Sequence, residues 1–116
     1  MSLAKDVEVI ITFLPTSHGG RQTPAKSGYR PQFYYDGLDH DAIQTFIDKE
    51  FVNPGEIVKA YLTFLHPDLH LGNLCPGKAF LIREGNRIVG YGSIVKVLDL
   101  EDSARKYVET FGPSVS

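Results

Sequence analysis

Between Val7 and Leu98 this chain is a succession of short runs rich in β-branched and aromatic residues, each stopped by proline or glycine. That punctuation constrains the fold most, because helices need longer uninterrupted stretches at a period near 3.6 residues. "VEVIITFLP", Val7 to Pro15, predicts a strand buried on both faces or nearly so. "EIVKAYLTFLHP" is the plainest strand. Val58, Ala60, Leu62 and Phe64 fall on one face; Ile57, Tyr61 and Leu65 fall on the other. "PQFYYDG" starts a strand with aromatics alternating across the pleat. In "DAIQTFIDKEF", Ile43, Thr45 and Ile47 alternate as in a strand that ends at the turn "VNPGE". "AFLIREGNRIVGYGSIVKVL" reads as two strands around Glu84-Gly85-Asn86, with Gly90 and Gly92 predicting a bulge or a tight barrel bend.

Strand follows strand with no helix between, which excludes a parallel α/β sheet and predicts a small antiparallel barrel of five or six strands. The pattern changes after Leu98. Asp99 offers a cap, and Ala104, Tyr107, Val108 and Phe111 share a helical face, so a short helix is expected. Its apolar side is predicted to cover barrel surface. The expected organisation is a tail over 1–6, a barrel over 7–98 and a helical extension over 99–116.

The 116 residues suit one domain, and 42% hydrophobic residues suffice for a core. A net charge of −2 argues against a polybasic nucleic-acid binder, although a local basic patch works on an acidic protein. Cys75 is the only cysteine, which rules out an internal disulfide and fits a reducing, cytoplasmic setting. No apolar run reaches the roughly 20 residues of a membrane helix.

Gly19 to Phe33, "GGRQTPAKSGYRPQF", looks in part like a phosphate-binding loop. Ala25 replaces the second glycine, Pro24 removes an N–H donor, and Gly28-Tyr29-Arg30-Pro31 cannot open a stable helix after Ser27. The stretch reads instead as a stiffened connector presenting Arg21, Lys26 and Arg30, suited to phosphate, ribose or a protein carboxylate. His66 and His70, with Asp68, have metal-ligand spacing only if helical. Pro67 and Gly72 predict a solvated loop, with His66 free for a phosphate contact. Tyr29, Phe33, Tyr34 and Tyr35 read as core and edge packing, with stacking on bases as the alternative. No nucleophile–base pair or carboxylate pair supports an enzyme.

"GGRQTP", "GYRPQFYY", "PGE", "LTFLHP" and "FLIREGNRIVGYGSIVKVL" occur in an order and spacing that resemble the third, C-terminal domain of elongation factor Tu over about residues 7–98. The resemblance implies an all-β, six-stranded antiparallel Greek-key barrel, without catalysis and without a cofactor. It implies contacts to tRNA or another structured RNA at Arg21, Gln22, Gln32, His66 and Gly85. It also implies a protein interface at Gln32, Leu81 and Glu84 toward another translation-factor domain. Asp36 stands where the family commonly carries arginine. Two readings remain: RNA backbone binding through Arg21, Lys26, Arg30, Gln32 and Arg83, or docking to a protein partner.

Overall fold

A computed structural model describes residues 3–115; the ends of the expected tail and extension, 1–2 and 116, lie outside the described residues. The strands are β1 (Val7–Phe13), β2 (Ala25–Lys26), β3 (Gln32–Tyr35), β4 (Leu38–Phe46), β5 (Phe51–Val52), β6 (Ile57–Phe64), β7 (Ala79–Glu84) and β8 (Arg87–Val97), followed by the helix α1 (Leu100–Phe111). Six strands close an antiparallel barrel in the order β1-β6-β4-β3-β7-β8, and β2 pairs with β5 as a separate ribbon. β3, β4 and β6 follow one another as neighbours, while β1 sits beside β6 and β7 beside β3. That is a Greek key, so two connections must cross the barrel ends: 14–31 from β1 to β3, and 65–78 from β6 to β7.

The inward side chains fill the barrel: Val7, Val9, Ile11 and Phe13 from β1, Val58, Ala60, Leu62 and Phe64 from β6, and Phe33, Phe80 and Ile82 from β3 and β7. β1 is buried on one face only. Ile10 is exposed and Glu8 and Thr12 are half-buried, because no second layer covers the outside of the barrel. In β4 the face turned inward is Ala42, Gln44 and Phe46, while Ile43 and Thr45 point outward. The run does not continue to Phe51: Asp48, at φ +61°, breaks it, and Phe51–Val52 joins the ribbon.

Two turns carry their own explanation. Asp36 and Gly37 both have positive φ and join β3 to β4 with Tyr35 opposite Leu38. A two-residue hairpin turn needs that conformation, which aspartate and glycine tolerate best. The expected arginine site is thus occupied by a turn residue, and Asp36 pairs with Lys78 at 2.8 Å. At Gly20 a Cβ would fall 1.9 Å from the Leu14 carbonyl oxygen. That glycine is required by close backbone approach, and its N–H donates to Pro15 O.

Ser27 starts no helix; its hydroxyl accepts the Phe46 N–H at 3.0 Å, stitching the first crossover to β4. The second crossover is not a solvated loop. Pro67–His70 form a 3-10 turn that buries Pro67 and His70, and Leu74 joins the core. The β7–β8 ladder shifts register between Ile82 and Arg83, opposite Val89 and beside Gly90. α1 buries Leu100 and Ala104 and lays Tyr107 on His66, so the helix packs against the second crossover. Phe111 is 72% exposed and Val108 is exposed as well, contrary to the expected covering role. The buried side is one turn nearer the helix start, because Asp6, whose carboxylate accepts Ser103 and the Phe64 N–H, anchors the helix there.

Candidate functional site

The β7–β3–β4 registers place outward side chains in rows. Arg83 stands opposite Gln32, and Gln32 opposite Asp41. The Leu65 N–H donates to Asp41 O, so Leu65 continues the same row and His66 follows it at the start of the second crossover. The next row runs Asp39, Tyr34, Leu81 and Tyr91. Gly85 turns the hairpin at the end of β7 with φ +61°. Gly85, Arg83 and Gln32 therefore lie near one another on the barrel, with His66 in the crossover beyond Asp41, which the sequence could not display.

Arg21, Arg83 and Arg87 on this surface are engaged. Arg21 pairs with Glu84, reaches Thr23 O from Nε at 3.3 Å, and lies 4.7 Å above the Tyr29 ring. The Tyr29 hydroxyl donates to the same carboxylate, and burial followed by that carboxylate pushes its pKa well up. Arg87 reaches Glu84 at 3.7 Å. Arg83 stacks 4.7 Å over Tyr34 and meets Asp39 at 3.6 Å. Lys26 faces Glu50 at 3.9 Å, away on the ribbon. His66 Nδ1 meets the Tyr107 hydroxyl at 2.8 Å and Ser114 Oγ at 3.4 Å. Gln22 and Arg30 are exposed, and Arg30 has no ion-pair partner among the described residues. Gln32 Oε1 has no hydrogen-bond partner among them either.

Sequence reasoning assigned Arg21 and Glu84 to different partners; the fold makes them partners of each other. It missed Asp39 and Asp41, which put one negative charge on each of the two rows. The signal was present: the Asp36-Gly37 turn fixes a register that sets Asp39 opposite Tyr34 and Asp41 opposite Gln32. Tyr91 and Ile88 were also missed; both are exposed beside Leu81 and Arg83.

The potential ligand set at 66–70 is dispersed in chemical terms. His70 Nδ1 meets the Tyr35 hydroxyl at 2.7 Å, and its ring stacks on Phe64 with centroids 4.0 Å apart. Burial, aided by His40, lowers its pKa to about 3. Asp68 accepts both the Ser114 N–H and hydroxyl.

Residues 2–98 match the elongation factor Tu C-terminal domain. The chain belongs to that family. The six-stranded closed barrel is the fold of the elongation factor Tu C-terminal domain, and a role linked to translation fits the family. That domain is a non-catalytic one. The match stops before α1, so the helix and the tail that hold His66 lie beyond the matched span. Among the described residues no helix is long and apolar enough to cross a membrane.

Proposed function

We propose that this elongation factor Tu C-terminal-domain barrel is a cytoplasmic, non-catalytic module that docks a protein of the translation apparatus through the outer face of β3, β7 and β8. One observation carries the reading: on that face the arginines already have carboxylate partners, while Tyr34, Leu81, Ile88 and Tyr91 offer apolar and aromatic surface. A phosphate backbone needs uncompensated cations, whereas a protein interface favours aromatic residues and arginine with few free charges. Gln32, Leu81 and Glu84 lie on or beside this face, as the family resemblance implies. The test is a photo-crosslinking residue at Tyr91. Crosslinks to a translation factor or ribosomal protein, suppressed by Leu81→Glu, support the reading; crosslinks to RNA alone sink it.

RNA contact is the second reading, supported by exposed Gln22 and Arg30 in the first crossover, which folds against the Gly85 hairpin. In that case tRNA affinity falls steeply between 50 and 200 mM salt and is lost with Arg30→Glu. Contacts by Arg21, Lys26, Arg83 or His66 would each require an existing partner to be released.

A further inference from the structure

A cleft of about 230 Å³ opens where the start of β4 faces the second crossover, lined by Asp39, His40, Asp41, His66 and His70 together with apolar Leu38, Leu69 and Val115. We propose that this cleft takes a single basic side chain, arginine in preference to lysine, from the protein that docks on the barrel. The proposal rests on the docking reading and adds the partner's chemistry to it.

The charge balance of the lining selects a cation. Asp39 is compensated by Arg83, but Asp41 is exposed and has no ion-pair partner among the described residues. Burial keeps His40 and His70 toward their neutral forms, against the upward pull of Asp39 and Asp41 on His40. His66 already contacts Tyr107 and Ser114. The cleft thus offers one free carboxylate, Asp41, and neither lysine nor arginine among its lining residues.

Its shape selects a planar group on an apolar stem. The His40 and His70 rings pack edge to face on each other, 4.5 Å apart at 68°, and make one wall of the cleft aromatic. His70 is 1% exposed and tied through Nδ1 to Tyr35, so its ring is held rigidly and its remaining nitrogen is the one left for a ligand. Leu38 and Leu69 supply surface for a methylene stem. A guanidinium is weakly hydrated, stacks on aromatic faces and meets carboxylates through a fork of donors; an ammonium is a compact, strongly hydrated charge. Asp41 lies beside Gln32 on the outward row, so a side chain seated here would enter from a partner covering the docking face.

The test uses the full chain and methylguanidinium chloride as probe, followed by amide chemical shifts against sodium chloride at matched ionic strength. Saturable shifts at residues 38–41 and 66–70, weaker with methylammonium and reduced at least five-fold in affinity by Asp41→Asn, are expected. Asp41 is exposed, so that variant keeps the fold. No saturable shift, equal binding by Asp41→Asn, or shifts produced by inorganic phosphate instead would each overturn the proposal. Loss of methylguanidinium binding leaves the Tyr91 crosslink unaffected, so the cleft and the docking face fail separately.

Discussion

The two Greek-key crossovers do the same topological task at opposite barrel ends with opposite chemistry. The first closes the end near Phe13 and Phe46 with Tyr29, which packs on Phe13 with centroids 6.1 Å apart and is capped by Arg21 and Glu84. The second closes the end near Phe33 and Phe64 with a neutral imidazole, His70, that stacks on Phe64 and bonds to Tyr35. Both are rich in glycine and proline and read alike in sequence. One keeps its charges at the rim, where water shares the load; the other takes a titratable ring inside. The lesson is that a connector's composition says little about its polarity of closure. What matters is whether the polar group meets solvent or core, since the energetic weight of a group rises as water is excluded.

The largest difference should appear with pH. His70 titrates near 6.5 when unfolded but is held to about 3 by burial in the fold. As pH falls, the unfolded chain binds that proton first. The stability associated with neutral His70 is complete above about pH 6.5 and is lost progressively toward pH 3, by on the order of 4 kcal/mol. Asp6 acts in the opposite sense. Burial raises its pKa above 3.8 despite hydrogen bonds from Ser103 and the Phe64 N–H, so the folded state binds its proton first and gains stability as acid is added. Urea unfolding from pH 7.5 to 4 should still show a net fall, because burial lowers the pKa of His40 as well and acts in the same sense as His70. A flat profile would mean that the second crossover opens to water.

Truncating the two plugs sharpens the contrast. His70→Ala removes a fully buried ring and strands the Tyr35 hydroxyl, so it should cost about 3 kcal/mol in denaturant melts at pH 7.5. Arg21→Ala leaves the Tyr29–Glu84 hydrogen bond in place and removes a partly exposed pair, for a loss of about 1 kcal/mol. Equal losses from the two would erase the distinction between an internal and a rim closure. The smallest effect is expected at the ribbon. Lys26 and Glu50 have side chains about two-thirds exposed, and Lys26→Ala should shift stability by at most a few tenths of a kcal/mol.

Much of the barrel was legible. β6 alternates with few interruptions, and Gly85 marks the β7–β8 hairpin. The blocks shared with the elongation factor Tu family implied the six-stranded Greek-key barrel that alternation alone leaves open, and the structure supplied its strand order. The weaker readings share a cause. The β-branched run of β1 suggests burial on both faces, although Glu8 and Thr12 already mark the side that stays in contact with solvent. Leu100 and Ala104, rather than Val108 and Phe111, bury the helix because Asp6 fixes where it starts. His70 looked like a loop residue because proline and glycine surround it, yet the crossover carries it over an open barrel end.

The candidate site was legible as a set of residue types and illegible as a set of relationships. Arg21, Gln32, Arg83 and Gly85 could be picked from the chain, and the Asp36-Gly37 turn already determined which aspartates would sit beside them. Local sequence determines strand periodicity, turn conformation and the register of a hairpin, because those depend on neighbours a few residues away. Only the closed barrel decided that Glu84, 63 positions from Arg21, would take its charge, and that His66 would end under Tyr107. Those pairings depend on which segments cross which end of the cylinder. That is settled by burying the whole core at once, and no single stretch of the chain encodes it.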